Sequence, residues 1–319
     1  KPIVPNWNNK KLTLKEWQEY KLKYFQIGLI LNGIIDFDID NHFINRFVGK
    51  YLKSCGAVYG REGNPLSHYL FEAEENIKPY KFMLPKELES YYKHFSHGSC
   101  LCEIRTGNNF QSLVPGSKIN KEDVRWNKFA GINSYPGHLK DDISKIALSG
   151  ALGIVYPSKG ARDNYCTAIA GVLSNHTNWS GEEINEFVYN LAINSGDENA
   201  HKKMNKGTNA KKSKGNKLGM PTIAEIVGCS VQTIAKLFSW VGVKDSGSLF
   251  TALRCYMIEP KYWQLKYKDT WITFYDTAIL LSYTKIKILV LENCLEESPE
   301  MPPPQWKEVR TGLLKEVVK

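Results

Sequence analysis

Two spacings of apolar residues alternate along the first half of this chain. IGLIL (27–31) and IIDFDID (34–40) are β-type runs, and the Asn32-Gly33 dipeptide between them predicts a tight hairpin. AVYGR (57–61) and SHYLFEA (67–73) predict a second pair of strands about a Gly-Asn-Pro turn. LCEIRT (101–106) and FQSLV (110–114) predict a third pair about Gly107-Asn108-Asn109. Helical spacing intervenes. Leu14, Trp17 and Tyr24 recur along a helix over 13–25, which Thr13 and Glu16 can start as a capping box. Asn41 caps a helix reaching about Lys53, and Pro85 opens another over 85–95. Strand pairs with helices between them predict an α+β module.

After Tyr156 the texture changes. Residues 160–200 read as helical, with Ser180 and Glu183 as a second capping box. Residues 201–217 hold seven Lys and no acid, which predicts a solvated loop or a basic clamp. PTIAEIVGCSVQTIAKLFSWVGV is helical again. The tail predicts a hairpin around Lys268-Asp269, an apolar helix near 276–295, a Pro-rich break at 302–304 and a last short helix. No internal repeat is visible. The expected organisation is an α+β domain over 1–156, a helical domain over 157–228 and an accessory segment over 229–319.

Composition adds direction. The formal net charge is +9, with 42% hydrophobic and 24% charged residues, so the chain is globular and favours polyanionic partners. No apolar run approaches the roughly 20 residues of a spanning helix, so no membrane is expected. The seven scattered Cys do not form a disulfide framework, which points to a reducing cytoplasm. The chain opens on Lys1, has no signal peptide and stops at KEVVK, and reads as a piece of a longer protein.

Candidate chemistry centres on IIDFDIDNHF (34–43). On a strand Asp36, Asp38 and Asp40 share one face, about 6.6–6.8 Å apart, while Ile35, Phe37 and Ile39 face the core. Carboxylates so close repel unless a cation sits among them or one takes up a proton. Oxygen-rich clusters suit Mg²⁺ or Mn²⁺, and two such ions stabilise both the attacking and the leaving oxygen in phosphoryl transfer. An acidic edge strand that merely meets water is the competing explanation. In GREGNPLSHYLF (60–71), Ser67 and His68, with Arg61 and Asn64, could hold a triphosphate. In CEIRTGNNFQSLVPGSKINKEDVRW (102–126), Glu103 and Arg105 fall on one strand face, an acid for metal and a cation for phosphate.

Taken in order, DFDIDN, GREGNPLSHYLF and EIRTGNNFQSLVPGSKI…W resemble the prim-pol branch of the archaeo-eukaryotic primase superfamily, found on plasmids, in phages and fused to CRISPR-associated proteins. The resemblance covers residues 1–130, and it implies an RRM-like, hairpin-rich catalytic core. It implies Asp38, Asp40 and Glu103 as metal ligands, although Asp36 and Asp38 could instead form the pair. It implies Ser67 and His68 at the phosphates of the incoming nucleotide, with Arg61, Asn64, Arg105, Ser117 and Lys118 as weaker candidates for the same pocket. Gly116 and Ile119 depart from the Pro and His that relatives often carry around that turn. The implied activity is DNA-directed nucleotidyl transfer from dNTP or NTP on a single-stranded DNA template, with de novo primer synthesis, two divalent ions and no organic cofactor. A helicase or CRISPR-associated protein is the implied companion in a full-length chain. YPSKGARDNYCTAIAGVLSN and the residues to GMPTIAEIVG look like the helical domain that follows prim-pol modules, with Arg162, Asp163 and Asn164 at its first helix start.

Two rival classes use the same residues: a metal-dependent nuclease, and a non-catalytic DNA-binding replication initiator. Weaker signals remain. TIAEIVGCSVQTIAKLF (222–238) resembles a helix-turn-helix, and His94, His97, Cys100 and Cys102 are zinc-type residues. Trp7, Trp126 and Trp179 could stack on bases, though core roles are the plainer expectation.

Overall fold

In a computed structural model of the chain, the described residues run from Gln26 to Val243, apart from 75–76, 96–97, 120 and 214–217. A few residues between 13 and 19 and the backbone of three strands within 250–274 are also described. The chain divides into two compact units, Lys1–Lys244 and Asp245–Lys319.

The first unit is α+β. Its sheet has seven antiparallel strands: β1 (Gly28–Ile39), β2 (Ala57–Arg61), β3 (Asn64–Glu72), β4 (Tyr80–Met83), β5 (Cys100–Leu113), β6 (Lys118–Ile119) and β7 (Glu122–Phe129), in the order β4-β5-β1-β3-β2-β7-β6. Its helices are α1 (Asn45–Tyr51), α2 (Glu89–Tyr92), α3 (Leu139–Ile154), α4 (Arg162–His176), α5 (Gly181–Asn194), α6 (Lys206–Lys212), α7 (Met220–Val227) and α8 (Val231–Phe238). No described helix is long and apolar enough to cross a membrane.

Local chemistry explains several boundaries. Thr13 and Glu16 make the reciprocal contacts of a capping box, and Ser180 and Glu183 do so at α5. Asn41 accepts from the Phe43 N–H and starts the turn that leads into α1. β2 and β3 form the expected hairpin, with Arg61 directly opposite Asn64.

The other two expected hairpins are absent. IGLIL and IIDFDID belong to one strand, β1, and residues 100–113 belong to one strand, β5. The two strands pair with each other. Their register breaks between Ile30 and Leu31 and is restored at Ile35, so Asn32-Gly33 and Gly107-Asn108-Asn109 are facing irregularities in one ladder. Gly33 and Gly107 have φ of 73° and 94°. A bulge needs that left-handed backbone as much as a hairpin turn does, and this is why the dipeptide misleads.

The sheet has an apolar face and a mixed face. Ile35, Phe37 and Ile39 are buried in the main core with Ile146 of α3, Ile169 of α4, Phe187 of α5 and Ile234 of α8. Residues on either side of Tyr156 thus share one core, and the helices over 157–228 have no separate one. The mixed face covers a small second cluster of Ala57, Tyr59, Leu70 and Val124, with Leu29, Ile34, Val114 and Ile119 against it. Ser117 helps to close the sheet around that cluster. Its hydroxyl accepts from the Ile27 N–H at 2.7 Å and donates to the Ile27 carbonyl at 3.2 Å, so the β6 edge returns to the start of β1.

The second unit contains β8 (Phe250–Tyr256), β9 (Tyr262–Tyr267) and β10 (Thr270–Phe274) in one antiparallel sheet. Thr270 opposes Tyr267, as the expected hairpin at 268–269 requires. The helix near 276–295, the break at 302–304, the last short helix and Trp7 lie outside the described residues.

Candidate active site on the mixed face of the sheet

Six residues on six adjacent strands oppose one another in a single row. Lys81 of β4 faces Glu103 of β5, and Glu103 faces Asp38 of β1. Asp38 faces His68 of β3, His68 faces Tyr59 of β2, and Tyr59 faces Trp126 of β7. Directly opposed residues project to the same side of an antiparallel sheet. The row is therefore a line of charged and aromatic groups across one face. Asp36 and Arg105 oppose each other in the adjoining row, and Asp40 lies two residues beyond Asp38.

Four carboxylates crowd this region, and three basic groups answer them. Asp36 has no exposure. Both its oxygens lie against His68 Nδ1, at 3.0 and 3.2 Å, and it also accepts from the Ser112 hydroxyl. His68 Nδ1 is 3.6 Å from Asp38 as well. Arg105 bridges two acids, with Nη1 3.0 Å from Asp38 and Nε 3.4 Å from Glu103. Lys81 Nζ donates to Glu103 at 2.7 Å.

Burial sets the proton balance. It opposes a charged imidazole, but the Asp36 charge, its hydrogen bond and the Asp38 charge outweigh it, and the His68 pKa rises to about 9. Burial raises the Asp38 pKa, His68 and Arg105 pull it back, and Asp36 and Asp40 add to the rise, leaving it at about 7. Near neutrality His68 is an imidazolium whose Nδ1 is committed to Asp36. Nε2 remains as its second donor.

Among the described residues, one cluster has donor atoms close enough together to hold a cation. Ligand atoms of Asp40, Cys100 and Glu103 all lie within 4.8 Å of one another. Metal–oxygen bonds of about 2.0–2.6 Å need only small side-chain shifts to close such a group on one ion. Asp38, expected as a ligand and directly opposite Glu103, is not part of this cluster; its carboxylate lies against Arg105 and His68 instead. The Cys100 thiol is held protonated by burial, by its hydrogen bond to Asp40 and by the neighbouring charges.

The residues expected at a triphosphate pocket divide. His68 and Arg105 join the acids. Ser67 does not: it neighbours His68 on β3, so alternation turns it to the apolar face, where it is buried. Asn64 is occupied structurally, donating to the Ile39 carbonyl at 3.2 Å and accepting from Asn45 at 3.3 Å. It fixes the end of β1 against α1. Ser117 is committed to the Ile27 backbone, as described above. Lys118 lies on edge strand β6 and pairs with Asp123 at 3.2 Å. Arg61 opposes Val124, two residues along from the Tyr59–Trp126 pair, and so shares the mixed face without touching the acids.

Lys81, Tyr59, Ser112 and Cys100 join the site without being expected there, and Asp36 turns from an extra acid into the partner of His68. Their signal is register, which no single segment displays. The weaker signals resolve differently. α7 and α8 form a helix pair with Gly228 in the left-handed region and Ser230 as cap, but most of α8 is buried in the main core. Glu87 also occupies the Ser230 N–H and hydroxyl at the start of this helix, and Val231, Gln232 and Lys236 are its exposed residues. Of the zinc-type residues, Cys102 is in the core and His94 is exposed, while His97 lies outside the described residues. Within the Lys run, Lys203 and Lys206 both pair with Asp163, and Lys211 donates to the Ser174 carbonyl. Comparison with protein-family models, curated proteins and solved structures returns no match.

Proposed function

We propose that this chain is a DNA primase-polymerase, a nucleotidyltransferase that extends or starts a strand on single-stranded DNA from nucleoside triphosphates. One observation carries the reading. Asp38 and Glu103 oppose each other on neighbouring strands, with Asp40 on the same face and a half-buried imidazole, His68, which Asp36 holds toward its charged form, on the next strand. That is an oxygen-rich cation site beside fixed positive charge, the pairing that triphosphate chemistry uses.

In this reading Asp38, Asp40 and Glu103 hold Mg²⁺ or Mn²⁺. Bound ions supply activation of the attacking hydroxyl and charge neutralisation at the leaving group. His68 binds triphosphate oxygens through Nε2, while Asp36 keeps the ring charged and oriented. Arg105, which now spans Asp38 and Glu103, is freed for phosphate as the acids turn to cations. The primer 3′ oxygen forms a bond to the α-phosphorus, the α–β bridging bond breaks, pyrophosphate departs and the hydroxyl proton passes to water. The helices over 157–228 help to grip the template, with residues 229–319 as an accessory segment. A reducing, cytoplasmic setting agrees with the free state of the five described cysteines.

The test is incubation with single-stranded DNA, labelled nucleotides and Mg²⁺ or Mn²⁺, with and without a primer. Wild type should give longer products, primer-free product marks priming, and Asp38→Ala/Asp40→Ala should give none. Equal synthesis by both proteins removes the site. Shortened DNA, unaffected by His68→Ala, identifies a nuclease instead.

A further inference from the structure

The cross-strand row does not stop at its charged half. Tyr59 stacks on the His68 ring at 4.6 Å and 8°, and Trp126 meets Tyr59 edge-on at 5.2 Å. Phe129 lies 4.6 Å from Trp126. Trp126 is 40% and Phe129 61% exposed, an unusual state for two large apolar rings in contact.

A bulge creates this pair. Residues three apart on a regular strand point to opposite faces. Here Tyr59 opposes Trp126 but Val58 opposes Lys128, so Asn127 is an extra residue in β7. Asn127 donates to the Pro65 carbonyl, which fixes the bulge. Beyond it Phe129 opposes Ala57, on the face that Tyr59 and Trp126 share. On its other side β7 pairs with β6 at Glu122 and Asp123, and among the described residues no strand pairs there with 125–129.

We propose that Trp126 and Phe129 form a stacking platform for unpaired bases of the template strand. The inference rests on the polymerase reading and extends it by assigning the strand's path. Exposed rings attract any base face, and nearby cations hold the backbone. Arg61 shares the face of the pair, while Arg125 and Lys128, exposed at the same edge, oppose Gly60 and Val58 and turn to its other side. The acid of this strand nearest the rings, Asp123, is already paired with Lys118 and Arg125. Three strand spacings of about 4.8 Å separate Asp38 from Trp126. That distance, about 14 Å, is roughly four stacked nucleotides at about 3.4 Å each.

Fluorescence anisotropy of a labelled oligo(dT), with the full chain at fixed ionic strength, tests this. Trp126→Ala and Phe129→Ala should each weaken binding about fivefold or more, and Trp126→Phe should retain most of it. Duplex DNA of equal length should compete poorly. Mn²⁺ binding, followed by its paramagnetic resonance signal, should be unchanged in these variants. Phe129→Ala, at the more exposed ring, keeps the test decisive should Trp126→Ala fail to fold. Wild-type affinity in the folded alanine variants, equal competition by duplex, or a change of oligomeric state in place of affinity overturns the platform. Failure of the polymerase reading registers separately, as wild type lacking synthesis or Mn²⁺ binding while the aromatic variants still lose oligo(dT).

Discussion

A carboxylate with no solvent exposure, Asp36, is tolerated because an imidazole and a hydroxyl satisfy it. Asp36→Asn should lower the His68 midpoint by more than one pH unit in an imidazole nitrogen NMR titration, since the charge opposing burial is gone. An unchanged midpoint rejects this account of His68. The same shifts make stability depend on pH. The His68 pKa is raised to about 9, so its contribution is complete below its ordinary 6.5 and fades as pH climbs to about 9. Asp38 keeps, up to about 7, a proton that the unfolded chain releases near 3.8, so its contribution also falls as pH rises through that range. Metal-free protein should therefore need more urea to unfold at pH 5.5 than at pH 9. With Asp38 as a cation ligand, as proposed, binding would displace its proton, so Mn²⁺ affinity should rise up to about tenfold per pH unit below about 7 and level off above. A flat calorimetric profile would separate Asp38 from the metal. Three of the four acids were legible from alternate spacing in one ten-residue stretch, and Glu103 from a second segment. Their neighbours Lys81, Ser112 and Tyr59 were not, because each arrives through the register of another strand.

At the scale of elements, pattern identified strands and helices better than it joined them. The alternation of β1, the caps at Asn41 and Ser180, and the β2–β3 hairpin were all readable locally. The Asn32-Gly33 and Gly107-Asn108 signals were read as turns because the left-handed backbone they provide serves bulges equally. Only the pairing of β1 with β5, across about seventy residues of chain, tells the two apart. Gly60 shows a different constraint. A Cβ there would come within 2.1 Å of the Asn64 carbonyl oxygen and 2.7 Å of Pro65 backbone. Gly60→Ala should cost about 1–3 kcal/mol in urea unfolding, because backbone must move to admit it. The strain falls on β3 just before His68, so nucleotide affinity should drop with stability. Wild-type stability in this variant contradicts the packing described.

For the whole molecule, the change of texture at Tyr156 suggested separate domains, but the burial pattern joins both sides. Ile35 and Phe37 of the sheet belong to the same cluster as Phe187 and Ile234 of the helices. A fragment ending at Tyr156 should expose that surface and give poorly dispersed amide spectra, whereas residues 1–244 should unfold in one urea transition. A well-dispersed spectrum from the shorter fragment refutes the shared core. Charge was a coarse guide for a related reason: Lys203 and Lys206 spend theirs on Asp163, a partner forty residues away. The row from Lys81 to Trp126 draws one residue from each of six strands. A half-assembled sheet thus has no half-strength version of it. The row is whole only when β7, the last of its strands along the chain, lies beside β2.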